Sequence, residues 1–257
     1  MLRTRVIPCL LLKGGGLVKT RKFDRPAYVG DPINAVRIFN DKEVDELVFL
    51  DIEACHNNLG PNFELIQDIA SEAFMPFAYG GGISSVEQAL RLLALGVEKV
   101  ILNTHAAQSP DLIAGIARAA GSQSVVVAID VKRDFFGRQH VYTKGGTQRV
   151  SSDPVEYARR MEQAGAGELM LTTIDREGTR TGYDLPLIES VSRAVSIPLI
   201  ANGGAGTLTH LRQAWHAGAS AVAAGSMFVY HGKHDAVLIT YPRYSELEKL
   251  FTDEATG

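Results

Sequence analysis

Three aspartates and four glycine or small-hydroxyl turns are the residues of this sequence whose types and spacing could do chemistry. Asp130 ends the β-branched run Val125-Val126-Val127-Ala128-Ile129. A carboxylate at the carboxyl end of a buried strand is suited to general acid–base work, ahead of its other use as a cap on a backbone turn. Asp51 ends the run from Leu47 to Ile52, and Asp175 follows the run from Leu169 to Thr173. Both, with Asn202, are expected to orient the hydroxyls of a ligand. Gly80-Gly81-Gly82 and Asn103-Thr104 follow two further runs, and Gly203-Gly204 and Gly225-Ser226 follow two more. Glycine lets backbone N–H groups approach a phosphate, and a helix that starts there adds a favourable dipole. One such turn would read as a tight connection. Two complete pairs favour phosphate binding and imply an elongated ligand with an anionic group at each end.

Other charged groups sit elsewhere. Arg5, Glu46, Lys99 and Glu168 each stand where a strand begins. On spacing alone they read equally well as surface salt bridges of small value or as a ring that closes one end of a barrel. Lys19 to Lys22, with Arg25, lie in a glycine-flanked loop, which suits a solvated loop and a loop closing over an anion equally. The seven histidines make no Cys/His cluster, so no metal and no cofactor is expected. His231 and His234 read as surface residues, His105 as a neighbour of the ligand, and Trp215 as helix packing. Cys9 and Cys55 have no disulfide or metal spacing and read as buried thiols.

The elements that must hold these groups repeat. Glu46-Leu47 recurs as Glu168-Leu169, Gly81-Gly82 as Gly203-Gly204, and Asn103-Thr104 as Gly225-Ser226, all at an offset of 122 residues with no gap between 31 and 104. Eight runs, from Arg5–Leu12 through to Ala221–Ala224, are continuously apolar and alternate with helix-period segments, as parallel strands covered on both faces do. The pattern predicts an α/β protein, a (β/α)8 TIM barrel with a twofold internal half-barrel repeat. The 257 residues read as one barrel, with halves roughly 1–121 and 122–257 and a hairpin insertion at about 132–150. In a register of 119, Lys13 falls on Lys132 and the counterpart of Asp130 is Leu11. One half therefore offers a proton-transfer group at the mouth, and the other offers a leucine.

The net charge of −3 predicts no nucleic-acid partner, and no apolar run approaches membrane-spanning length, so no membrane partner is expected. The first residues lack the order of a signal peptide, which predicts a cytoplasmic protein, and the tail 252–257 reads as frayed.

The motifs Val18-Lys19, Asp45-Glu46-Leu47-Val48-Phe49-Leu50-Asp51, Gly80-Gly81-Gly82-Ile83, Asn103-Thr104, Asp175-Arg176 with Gly178-Thr179, and Gly203-Gly204-Ala205-Gly206 carry a resemblance over essentially the whole chain. The sequence resembles the cyclase subunit of imidazole glycerol phosphate synthase. The resemblance implies a glutamine amidotransferase docked on the N-terminal barrel face, and ammonia crossing the barrel to a phosphorylated small molecule at the C-terminal face. It assigns an ammonia gate to Arg5, Glu46, Lys99 and Glu168, a loop lysine to Lys19 and one of two catalytic aspartates to Asp130. Leu11 stands where the second aspartate is expected.

Within that family the sequence looks closest to a branch that modifies surface-polysaccharide sugars, on Pro8-Cys9-Leu10-Leu11-Leu12-Lys13, Asp31 to Asn40 and Ala236 to Pro242. That branch implies a further partner, an ATP-dependent sugar amidotransferase. The leading expectation is an ammonia-relay subunit supplying nitrogen for an acetamidino sugar. The alternative is the active cyclase and lyase of histidine biosynthesis. A scaffold that only binds the amidotransferase fits less well, because it has no use for phosphate turns.

Overall fold

The computed structural model describes residues 4–54, 59–232 and 234–252. Among these, eight parallel strands close into a barrel: β1 (Arg5–Lys13), β2 (Leu47–Asp51), β3 (Phe77–Gly80), β4 (Lys99–Leu102), β5 (Val125–Arg133), β6 (Glu168–Thr173), β7 (Leu199–Asn202) and β8 (Ala221–Ala224). Closure comes from β1 pairing with β8, Arg5 opposite Ala221, and from β5 pairing with β6, Asp130 opposite Thr172. The protein is thus a (β/α)8 barrel. Eight helices cover it: α1 (Pro32–Asp41), α2 (Phe63–Glu72), α3 (Val86–Ala94), α4 (Asp111–Ala120), α5 (Pro154–Gln163), α6 (Leu185–Ser192), α7 (Leu208–His216) and α8 (Tyr244–Leu250). No helix among the described residues is long and apolar enough to cross a membrane.

Local signals at the 122-residue spacing start and stop these helices. Asp31 caps α1 by accepting from the Asn34 N–H at 2.8 Å, and Asp153 caps α5 by accepting from Val155 at 2.9 Å. Proline follows each cap, where its missing N–H costs nothing. Asn62 and Asp184 cap α2 and α6, and Ser85 and Thr207 cap α3 and α7. Gly96 and Gly218 end α3 and α7 at φ of +106° and +101°, a left-handed stop that other residues resist.

Because strand side chains alternate, each strand divides its residues between two cores. Outward residues such as Val6, Phe49, Tyr79 and Val127 pack against the helices. Inward residues form a separate buried cluster along the barrel axis: Ile7, Cys9, Val48, Ala78, Ile101, Val126, Ala128, Met170, Ile200, Ala221 and Ala223. Five of these are alanine or cysteine and the other six are valine, isoleucine or methionine, so the axis is apolar throughout. Cys9 therefore lies within β1, and burial pushes its thiol up to about 12. Cys55 lies outside the described residues.

Two hairpins extend the barrel at its C-terminal end. β5 runs on into an antiparallel partner, Gln139–Thr143, which pairs with Gln148–Ser151. The second hairpin corrects a sequence expectation: the basic cluster is not a loop. Gly16–Arg21 folds back on β1, with Leu11 opposite Val18, and Asp24–Gly30 pairs with it in turn. The turn is made by Lys22 and Phe23 at φ of +57° and +62°. Such left-handed residues are usually glycine or asparagine, so the sequence carried no turn signal here.

Candidate active site at the barrel mouth

At the N-terminal end of the barrel, the inward parity of β1, β4 and β6 brings Arg5, Lys99 and Glu168 to the axis, and Glu46 joins them from just before β2. Arg5 bonds through one guanidinium nitrogen to Glu46 and through the other to Glu168. Lys99 Nζ lies 2.8 Å from Glu168 and 3.6 Å from Glu46. The four charges alternate around a closed ring. Both glutamates are buried, and Glu46 Oε1 has no hydrogen-bond partner. Burial works against the charge on Arg5, but Glu168 and Glu46 outweigh it and hold its pKa above the ordinary value.

At the other end lies a cavity of about 450 Å³, lined by Leu11, Lys19, Asp51, Asp130, Asn202, the three glycine-bearing turns and Asn103-Thr104. Asp130 is half-buried in its wall. Desolvation raises its carboxyl to about 7, against a hydrogen bond from Thr172 that favours the ionised form. Asn103 Nδ2 donates to Asp130 Oδ2 at 3.3 Å and to the Ala128 carbonyl at 3.0 Å. Asn202 in turn donates to the Thr172 hydroxyl at 3.1 Å. Asp130 is thus held by neutral groups, and near neutral pH it is poised to give or to take a proton. Leu11, on the facing half of the barrel, offers only an apolar wall.

The glycine turns are tight for a geometric reason. A Cβ on Gly82 would lie 2.8 Å from the Gly60 Cα, and one on Gly204 would lie 2.2 Å from the Gly182 carbonyl oxygen. Asn103 and Gly225 each precede a short helix, Thr104–Gln108 and Ser226–Val229, and neither helix start has a side-chain cap. No side chain therefore competes with an anion for the first-turn N–H groups at these two starts, although the Phe228 N–H already donates to the Gly225 carbonyl at 2.9 Å.

Several residues differ from their expected use. Asp175 does not line the cavity; its carboxylate accepts from the Arg133 N–H at 2.8 Å and ties the β5 hairpin down. Asp51 does line it, yet its Oδ1 accepts from the Glu53 and Ala54 N–H groups at 3.0 and 3.1 Å, and burial raises its pKa. Lys19 is buried and paired with Glu177. Glu177 was missed in the sequence. Its carboxylate also accepts from the Thr20 hydroxyl at 3.0 Å and the Phe23 N–H at 3.3 Å. The only available signal was its place between Arg176 and Gly178, in a motif already singled out.

The family profile described as Histidine biosynthesis protein matches residues 5–235. The chain is 53% identical over 249 residues to a Pseudomonas aeruginosa protein provisionally named imidazole glycerol phosphate synthase subunit hisF2, covering 96% of this chain and 99% of that one. A Vibrio vulnificus protein provisionally named subunit hisF3 is 47% identical over 254 residues, covering 97% and 96%. Imidazole glycerol phosphate synthase subunit HisF of Streptococcus sanguinis is 40% identical over 233 residues, covering 91% and 92%.

Proposed function

The chain belongs to the histidine biosynthesis protein family, in its HisF group, and on that footing we propose that it is the barrel subunit of an ammonia-transferring synthase. HisF subunits work with a glutamine amidotransferase. In this reading that partner docks on the N-terminal face, where Phe74 is also exposed, and the complex belongs in the cytoplasm. Ammonia enters through the ring of Arg5, Glu46, Lys99 and Glu168 and moves along the apolar side chains of the axis. At the mouth it meets a bisphosphate ribonucleotide. One phosphate lies on Gly81, Gly82, Asn103 and Thr104, and the other on Gly203, Gly204, Gly225 and Ser226. Asp130 moves the protons. The products are imidazole glycerol phosphate and aminoimidazole carboxamide ribonucleotide. The single observation that carries the reading is the closed ring, a costly burial of two carboxylates that a plain lyase of a phosphorylated ligand does not require.

One observation favours a second reading. Leu11 leaves Asp130 without a facing carboxylate, so the cyclisation lacks one of its proton-transfer groups. The barrel then delivers ammonia to a separate ATP-dependent sugar amidotransferase for acetamidino modification of a surface-polysaccharide sugar. The relatives' names speak for the first reading. Purified protein incubated with the bisphosphate ribonucleotide and an ammonium salt separates the two. Steady turnover, lost in Asp130→Asn, supports the synthase. Turnover that appears only in Leu11→Asp supports delivery to another enzyme.

A further inference from the structure

The two mouth hairpins carry a charge that the whole chain does not. Residues 13–30 hold four cations that reach solvent (Lys13, Arg21, Lys22, Arg25), a fifth, Lys19, being buried against Glu177, and one carboxylate; residues 131–152 hold five more (Lys132, Arg133, Arg138, Lys144, Arg149), of which Arg133 is paired with Asp184, and again one. The net charge of the protein is −3, so the rest of the surface is acidic. The hairpins meet at the mouth: a Cβ on Gly146 would lie 3.4 Å from the Phe23 ring.

The tip of the β5 hairpin is apolar. Phe135 is 96% exposed and Phe136 79% exposed, with ring centroids 5.6 Å apart in an edge-to-face pair. The tip is fixed rather than floppy. Asp134 Oδ1 accepts from the Phe136 and Arg138 N–H groups, both at 2.9 Å, and Oδ2 pairs with His140. Gly137, at φ +78°, completes the turn, and the Arg138 guanidinium sits over the Phe136 ring. Two phenylalanines held out into water on a rigid turn need a partner that takes them up.

We infer that this rim is a peripheral membrane-binding surface, with Phe135 and Phe136 inserting among the headgroups of an anionic bilayer while the hairpin cations sit on its phosphates. Charge complementarity chooses an anionic partner. Shape chooses lipid over protein. The apolar element is one protruding pair at the β5 tip, flanked by Asp134, Gly137 and Arg138, with Tyr28 exposed on the other hairpin, whereas a protein interface needs roughly 800 Å² on each side around an apolar centre. Reversible lipid attachment needs only two weak signals together, an apolar insertion and a basic patch. The expectation of no membrane partner rested on span length, which does not measure a surface. The inference does not depend on which nitrogen acceptor the protein serves.

Cosedimentation of the full chain with phosphatidylcholine vesicles, with and without about one-third phosphatidylglycerol, tests it. The protein is expected to pellet with the anionic vesicles only, and less as salt rises. The variant Phe135→Ser/Phe136→Ser, changed only at exposed positions, is expected to bind about tenfold more weakly or worse, which is less than the burial of one phenylalanine is worth. Arg138→Glu/Arg149→Glu is expected to abolish the preference for anionic lipid. No binding to either vesicle, or equal binding by the phenylalanine variant, overturns the inference and turns the rim over to an acidic protein partner.

Discussion

At the scale of a residue, Asp130 is the group whose behaviour the fold dictates most directly. Its carboxyl is raised from 3.8 to about 7 because the ionised form is stripped of water. The sign follows from linkage. Between pH about 4 and about 7 the folded protein holds a proton on Asp130 that the unfolded chain has released, so stability falls as pH rises through that window. A shift of this size corresponds to an upper bound of about 4 kcal/mol once the group is fully ionised. Asp130→Asn removes the titration and keeps the shape. Its stability relative to the parent is expected to improve by about 2 kcal/mol between pH 5 and pH 8. Urea unfolding at the two pH values measures this, and a constant difference would mean that Asp130 is solvated in the folded state. A group that costs stability at neutral pH, in the wall of a cavity, is more readily explained by a reaction than by packing.

At the scale of an element, the hairpin Gly16–Gly30 is laddered to β1 at its base, and its turn end is held by Glu177. Its side chain takes Lys19, Thr20 and Phe23, and its carbonyl accepts from the Lys22 N–H at 3.0 Å. Glu177→Ala leaves Lys19 buried without a counter-charge, a loss of about 3 kcal/mol for a broken buried pair. The hairpin is then expected to open, and trypsin to cut first between Arg21 and Arg25. Limited digestion followed by mass measurement checks this; equal cutting of the parent would show that Glu177 holds nothing. The same hairpin marks the limit of what the sequence makes legible. The barrel and its caps are local: Asp31, Asn62, Ser85 and their counterparts Asp153, Asp184 and Thr207 each act within one turn of chain. The ring was half legible, because strand parity brings Arg5, Lys99 and Glu168 inward but says nothing of whether they touch. Glu177 and Asp175 were not legible. Both sit a few residues past β6, and which one faced the mouth depended on a hairpin whose turn lacked glycine. Asn103 was read as a phosphate residue and does more, since its amide also reaches Asp130 across two strands.

At the scale of the whole molecule, the barrel has a direction. Charge is locked into the ring at one end, the axis between is short and apolar, and polar groups reappear only at the mouth. An ion pays heavily to enter such an axis, whereas neutral ammonia does not. On the proposed reading the ring has two tasks, to close the barrel and to admit nitrogen as the neutral species. Lys99→Met separates them. It leaves Glu46 and Glu168 held only by Arg5, so like charges meet at the entrance and the closed arrangement loses one of its two cations. In a reconstituted complex with the glutamine amidotransferase, product formed per glutamine hydrolysed is expected to fall about tenfold, equivalent to about 1.4 kcal/mol of lost coupling. Product formed from added ammonium is expected to stay near the parent value, because external ammonia reaches the mouth directly. Glu46→Gln is expected to do the same, since it removes the carboxylate whose Oε1 stands free at the ring. The ratio of the two rates is the quantity to measure, since a variant that merely misfolds lowers both. If glutamine-driven and ammonium-driven rates fall together, or neither falls, the ring is a structural plug and nitrogen reaches Asp130 by another route.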